Sequence, residues 1–197
     1  MNRDMVSYYR RGWATISQDL ISWALFYSVF FGVTLLTCGL GGILYPNLMR
    51  ETGASVQGAT SPKISAIFQT ENLTNDFINY GCYYGGILVG GMAGGIGSLV
   101  ATALLQFQIP MAAEDRYAPA DNARLSVQHV IDNPGEHMVF LIISYALMIP
   151  AFLLCLIPLP LVGPIVVVAH WLWYDDTRSE LDALAAQKGV PRLGTTA

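Results

Sequence analysis

Three long stretches of the chain contain no Lys, Arg, Asp or Glu. These charge-free runs, 20–49, 77–113 and 137–174, are 30, 37 and 38 residues long. About 20 apolar residues in a helix are enough to cross the roughly 30 Å hydrocarbon core of a bilayer. A helix in a soluble domain keeps one polar face, so such runs are not needed there. The runs therefore predict an all-α, polytopic integral membrane protein.

Prolines divide the runs into four predicted transmembrane helices. Pro46 ends the first helix because proline cannot continue a helix, and the second ends before Pro110. The third run is too long for one crossing, and Pro158 and Pro160 predict a tight turn within it. The four helices are expected at about 20–45, 80–108, 137–156 and 161–174.

The distribution of Lys and Arg predicts how the chain faces the membrane. Eight of them lie in the N-terminal arm, the second loop and the tail, against Arg50 and Lys63 in the first loop. Basic residues favour the cytoplasmic side. We therefore expect a cytoplasmic arm at 1–19, a single membrane domain at 20–174 and a cytoplasmic tail at 175–197. The expected location is a prokaryotic cytoplasmic membrane with both termini in the cytoplasm.

Amphipathic segments and aromatic residues predict contacts at the membrane surface. In 120–133 the apolar residues Ala123, Val127, Val130 and Ile131 share one helical face, which is typical of an interfacial helix. The segment 63–77 is expected to do the same on the outer side. An aromatic belt at the cytoplasmic interface is expected from Trp13, Trp23, Trp171, Trp173 and Tyr174.

A ladder of small residues in the second predicted helix indicates close helix packing. Small residues four apart allow another backbone to approach, and two adjacent tracks are present. Three interpretations stay open: packing inside the chain, contact with another subunit, or a path for ions or small molecules. The predicted packing interface consists of Gly86, Gly90, Gly91, Gly94, Gly95 and Ser98.

His170 is the candidate cofactor-binding residue because it is an ionisable group within an apolar run. Two histidines on neighbouring helices can hold a haem iron. Counted from the proline turn, however, His137 and His170 differ in depth by roughly 15 Å. We therefore expect a polar contact of His170 at headgroup level, with no cofactor, no metal site and no catalytic set. Cys38, Cys82 and Cys155 fit no zinc or disulfide spacing.

The charge balance restricts the partners. The formal net charge is −4, and no basic patch suggests a nucleic-acid partner. The expected partners are the lipid bilayer and other membrane protein subunits or further copies of the chain.

Motifs in the second half of the chain resemble those of a known group. The stretch 110–116, Pro-Met-Ala-Ala-Glu-Asp-Arg, is followed by Ala-Arg-Leu-Ser at 123–126 and by an apolar hairpin; Arg-Gly-Trp at 11–13 precedes the first run. This pattern resembles a broad group of prokaryotic multi-pass membrane proteins of unknown function, related to the membrane domain of glycerophosphodiester phosphodiesterases. The resemblance covers mainly 110–197, and the glycine-dense second helix and Pro-Leu-Pro turn depart from it. It implies an all-helical membrane module without the catalytic domain.

These observations predict a non-enzymatic integral membrane subunit or scaffold of a larger assembly. The alternative is a small transporter or channel lined by the glycine-rich second helix. An enzyme of lipid metabolism and a haem-binding electron carrier are further alternatives.

Overall fold

The computed structural model describes residues 3–37, 39–154 and 158–193. Within these ranges all regular structure is helical and no strand is present, so the all-α prediction is confirmed. Cys38, Cys155 and the end of the predicted third helix lie outside the described residues. Short 3-10 turns occupy Leu40–Leu44 and Ile64–Phe68. The α-helices in these ranges are α1 (Met5–Ile16), α2 (Leu20–Leu36), α3 (Tyr45–Gly58), α4 (Leu73–Met92), α5 (Gly95–Leu104), α6 (Gln108–Ala113), α7 (Pro119–Asp132), α8 (Pro134–Leu153) and α9 (Leu159–Gln187).

The first charge-free run folds back on itself. α2 ends at Leu36, and Gly39 then adopts a positive φ of 95° in the turn that follows. Pro46 begins α3 rather than ending a helix, because proline fits the first turn, where its missing N–H would have no helical partner. The predicted single helix over 20–45 is therefore wrong. The predicted interfacial helix over 63–77 is also wrong, since α4 starts at Leu73.

The second run forms a helical hairpin. The helix predicted over 80–108 breaks at Gly94, whose φ of 92° suits glycine and reverses the chain. α5 then runs back against α4, and a Cβ added at Gly90 would lie 2.5 Å from the carbonyl oxygen of Gly97. The prediction of one long second helix is wrong because a glycine that permits close packing also permits a turn.

The third run also forms an outgoing and a returning helix. α8 is long and apolar enough to cross a membrane, and α9 continues without interruption to Gln187. In the described part of the chain, α8 is the one helix that is both long and apolar enough to cross a membrane. The number of candidate spans rises to two if α1 and α2, which are bent by 106° relative to each other, are counted together as one span. Four transmembrane helices are thus not supported.

The core contains most of the residues predicted as an aromatic belt. Trp23, Trp171, Trp173 and Tyr174 are buried, and Trp13 is exposed. They are buried because α1, α2 and α3 all pack against α9, and at Gly53 the backbone of α3 lies directly against the indole ring of Trp171. The belt prediction is wrong for these four residues.

The ends of the charge-free runs meet at one end of the molecule. Nη2 of Arg50, which follows the first run, lies 3.5 Å from Oδ1 of Asp76 and 3.5 Å from Oδ2 of Asp115. Asp76 precedes the second run, and Asp115 lies just beyond it. The predicted separation of the first and second loops by a bilayer is incompatible with these contacts.

Further ion pairs complete this assembly. Arg3 pairs with Glu136 at 2.8 Å, and Arg178 pairs with both Glu114 and Asp175. The backbone N–H of Leu193 donates to the carbonyl of Arg116, so the C-terminal segment lies here too. We call this region the charged end; it comprises Arg3, Arg50, Asp76, Glu114, Asp115, Arg116, Glu136, Asp175, Arg178 and Glu180.

Candidate functional site

The predicted glycine interface lies mostly inside the α4–α5 hairpin. A Cβ at Gly86 would meet Leu105 and one at Gly91 would lie 3.0 Å from Oγ of Ser98. Gly94 forms the turn, while Gly95 has open space around it. Close packing within the chain therefore accounts for much of this ladder.

The three histidines lie around a single aromatic ring. The centroid of Phe107 is 5.3 Å from that of His129, 5.0 Å from that of His137 and 6.2 Å from that of His170. Because both rings lie so close to Phe107, the predicted 15 Å separation in depth of His137 and His170 is wrong. α8 ends at Leu153 and α9 begins at Leu159, and counting from these two ends gives a smaller difference in depth.

A buried chain of hydrogen bonds connects two of these histidines to the charged end. Nδ1 of His137 lies 2.9 Å from Oε1 of Gln106, and Nε2 of His137 lies 2.9 Å from Nδ1 of His129. Nε2 of His129 is 3.5 Å from Oε2 of Glu180. We call Gln106, His137, His129 and Glu180 the histidine relay.

The amide oxygen of Gln106, at one end of the relay, determines which ring nitrogen of each histidine carries the proton. Because an amide oxygen only accepts, Nδ1 of His137 donates to Gln106, and Nε2 of His137 accepts from His129. Nε2 of His129 then faces a carboxylate, so a proton there creates a charged hydrogen bond with Glu180. Burial lowers the pKa of His129, whereas Glu180 opposes that shift. Protonation of Nε2 of His129 would place the added charge at the junction with the charged end.

α7 supplies the polar face that holds this region together. The oxygen of Ser126 accepts from the N–H of Phe107 at 3.0 Å and donates to the carbonyl of Leu104 at 2.9 Å. Nδ2 of Asn122 donates to Oδ1 of Asn79 at 3.2 Å. The helix predicted over 120–133 is present as α7, but its buried face carries Asn122, Ser126 and His129, while Ile131 is exposed.

This polar face was missed by sequence reasoning. Asn122, Ser126 and His129 follow one another at helical spacing, which places them on one side of a helix. Gln106 and Gln108, both uncharged and both within a charge-free run, were the second available signal. Together these positions indicated a buried polar network, because polar groups in apolar surroundings need partners.

His170 lies outside the relay but lines a cavity together with Gln106. The backbone carbonyl of Gln106 faces its ring, and its Nε2 has no hydrogen-bond partner among the described residues. His170 lines a cavity of about 300 Å³ between α3, α4, α5, α8 and α9. A second cavity of about 310 Å³ shares Tyr45, Tyr83, Met148 and Val166 with the first.

The geometry does not favour a bis-histidine haem or metal site. Both ring nitrogens of His137 have hydrogen-bond partners, Gln106 at Nδ1 and His129 at Nε2. Within 3–37, 39–154 and 158–193, no group of three or more His, Cys, Asp or Glu residues is placed to hold a metal ion. The arrangement instead suits proton sharing along the relay and a hydrogen bond to a molecule in the cavity.

Comparison with known proteins yields no relative: no protein-family model, curated protein or solved structure matches the chain. The resemblance of 110–197 to prokaryotic multi-pass membrane proteins therefore stays a prediction.

Proposed function

We propose that the chain is a non-enzymatic integral membrane subunit that enters the bilayer from one face as three helical hairpins. The observation that carries this proposal is a set of ion pairs that joins the end of the first charge-free run to both flanks of the second, and the end of the second to the end of the third. Arg3 also joins the two flanks of the third run through Glu136 and Glu180. A run that starts and ends at the same place leaves and returns, so the loops on both of its flanks lie on one side of the membrane. The proposed location is a cytoplasmic membrane, with the charged end in the cytoplasm.

The far ends of the hairpins support insertion into lipid. Leu36 and Met92 are each 88% exposed and Leu153 is 77% exposed, and each ends an outgoing helix. α2, with 17 residues, is about 25 Å long, and α8, with 20, about 30 Å. These lengths match or fall just short of the hydrocarbon thickness. Large apolar side chains exposed together are unfavourable in water but suit acyl chains.

Cysteine labelling tests insertion from one face. In a variant with Cys38, Cys82 and Cys155 replaced by alanine, single cysteines are introduced as Lys63→Cys, Lys188→Cys and Met92→Cys. A membrane-impermeant maleimide is expected to label the first two from the same side, because both positions are exposed near the charged end. Met92→Cys is expected to react only after detergent is added.

Labelling of Lys63→Cys and Lys188→Cys from opposite sides would contradict this topology and restore the four-crossing arrangement. Intact cells and inverted vesicles provide the two orientations, and a cysteine-free variant gives the background.

The proposed subunit contact lies on the outer face of α4. Gly81 and Gly85 have open space where a side chain would be, and Cys82 beside them is exposed. Glycines four apart form a groove that admits another helix at close range. The groove is self-complementary about a two-fold axis, so we propose a second copy of the chain as its occupant.

Oxidative crosslinking tests this contact with a native residue. With Cys38 and Cys155 replaced by alanine, mild oxidation in membranes is expected to link Cys82 to Cys82 of a second copy and to give a covalent dimer on denaturing gels. The matched control moves the cysteine to Ile142, an exposed position on α8, in a Cys82→Ala background. Equal dimer yields from the two positions would indicate random collision and remove the proposed contact.

The packing inside the hairpin disfavours the alternative of a channel lined by the glycines of α4. The backbones at Gly90 and Gly97 are in direct contact, which leaves no room for an ion or a solute between α4 and α5. We therefore do not propose a transport function.

A further inference from the structure

We propose that the cavity beside His170 binds the hydroxyl group of a membrane-soluble alcohol or phenol. Most of the side chains that line the cavity are apolar or aromatic. Its volume of about 300 Å³ lies at the lower end of the range for small-molecule sites, and the adjoining cavity extends it. This site does not depend on the proposed subunit contact, because α8 and α9 form much of its wall.

The ligand reaches this cavity from the lipid phase. Tyr145 and Phe152 line the cavity and are also exposed on α8, the helix that is apolar enough to span a bilayer. They form an apolar rim that faces acyl chains in the proposed arrangement. A water-soluble ion would have to cross that apolar surface, so the occupant is a lipid-soluble molecule with a polar head.

His170 requires a hydrogen-bond donor. Its ring is 8% exposed, and the backbone carbonyl of Gln106 faces one of its nitrogens. The other nitrogen, Nε2, has no partner in the described ranges and carries the lone pair of a neutral ring. A buried acceptor of this kind is favourable only when a donor reaches it.

Two other side chains of the cavity also offer lone pairs. The hydroxyl of Thr102 donates to the carbonyl of Ser98 at 2.9 Å. The hydroxyl of Tyr9 donates to the carbonyl of Phe140 at 2.9 Å, so Ser144 donates to Tyr9 across their 2.7 Å contact. Both Thr102 and Ser144 line the cavity with their hydrogens already used. On the side formed by Thr102, Ser144 and His170, the cavity therefore favours a ligand that donates, which an alcohol does and an ether or ester does not.

Photolabelling with two matched probes tests the proposal. Purified protein in lipid nanodiscs is irradiated with a diazirine derivative of hexadecanol or with the methyl ether of the same compound. The alcohol is expected to label the α8 and α9 peptides about 5-fold more than the ether, the ratio that one net hydrogen bond supplies. Equal labelling by the two probes would overturn the proposal. This comparison uses the unmodified protein, so it does not depend on the folding of a variant.

Variants then assign the acceptor. His170→Phe keeps an aromatic ring beside Phe107 but removes the acceptor, so the preference for the alcohol is expected to disappear. Met148→Leu lines the same cavity without a polar atom and is expected to keep the preference. A preference that persists in His170→Phe would rule out His170 as the acceptor and overturn the site as proposed.

Competition between unlabelled molecules distinguishes the two sources of the hydroxyl. Hexadecanol and pentadecylphenol carry aliphatic and aromatic hydroxyls on chains of similar length. The compound that suppresses labelling at the lower concentration identifies the head group, and failure of both to compete would overturn binding at this site.

Discussion

Replacing Arg50 with alanine is expected to destabilise the protein by about 3 kcal/mol, the cost of leaving a buried charge without its partner. Asp76 is 1% exposed, and its Oδ1 has no hydrogen bond in the part described, so Arg50 is its ionic partner. Arg50 also donates from Nε to the carbonyl of Ala113 at 2.9 Å. The variant therefore loosens the connection between the flanks of the first and second charge-free runs.

The thermal midpoint of unfolding in mild detergent measures this effect. Lys63→Ala is the matched control because Lys63 is an exposed cation in the same loop region, and it is expected to change stability by less than about 0.5 kcal/mol. The double variant Arg50→Met with Asp76→Asn is expected to recover much of the loss, since it removes both charges together. Similar midpoints for Arg50→Ala and Lys63→Ala would show that the charged end does not hold the runs together.

Replacing Gly97 with leucine is expected to destabilise the α4–α5 hairpin by about 3 kcal/mol, the upper range for overpacking a close contact. A Cβ at Gly97 would overlap the carbonyl oxygen of Gly90, which is backbone and cannot rotate away. The two helices must separate to accept any side chain there. Thermal unfolding in detergent reports the change, and the yield of protein in the membrane provides a second measurement.

Gly95→Ala serves as the control for the hairpin variant. Gly95 lies two residues earlier in the same helix, its φ is not positive, and nothing lies within 4 Å of an added Cβ. Alanine there is expected to leave stability unchanged or slightly increased, because it restricts the unfolded chain. If Gly97→Leu were as stable as Gly95→Ala, the close packing of α4 and α5 would have to be abandoned.

The glycine ladder shows how far sequence reasoning extends. The spacing of Gly86, Gly90 and Gly94 predicted the close approach of another backbone; in the structure Gly90 lies against the backbone of Gly97, whereas Gly86 meets the side chain of Leu105. Glycine is favourable both in a close helix contact and in a turn with positive φ, and Gly94 takes the second role. The two uses cannot be told apart from spacing alone, so the hairpin was predicted as one long helix.

The charge count failed for a related reason. Counting Lys and Arg placed the first loop on the opposite side of the membrane from the second, because the first loop contains only two basic residues, Arg50 and Lys63. That count ignores pairing, and Arg50 lies between two carboxylates contributed by other segments. The charge-free runs themselves were a reliable signal of apolar helices, whereas their direction depends on long-range contacts that no local pattern encodes.

The grouping of the three histidines also depends on contacts between residues far apart in the sequence. His129, His137 and His170 come from three helices; His129 and His137 bind each other directly, and Phe107 packs against all three rings. The distance between His137 and His170 was overestimated because both positions were counted from a single turn, whereas α8 ends at Leu153 and α9 begins at Leu159. The polar residues were visible in the sequence, but their convergence required the tertiary fold.

In the proposed arrangement, the distribution of charge along the sequence has an energetic consequence for biogenesis. The sequence contains no Lys, Arg, Asp or Glu between α2 and α3, between α4 and α5, or between α8 and α9. Carrying one elementary charge through a potential of 100 mV involves about 2.3 kcal/mol of electrical work. These segments carry none, so their translocation is indifferent to the voltage across the membrane. A protein of this design is expected to integrate equally well in energised and depolarised cells, with its orientation set by the ion pairs that stay behind.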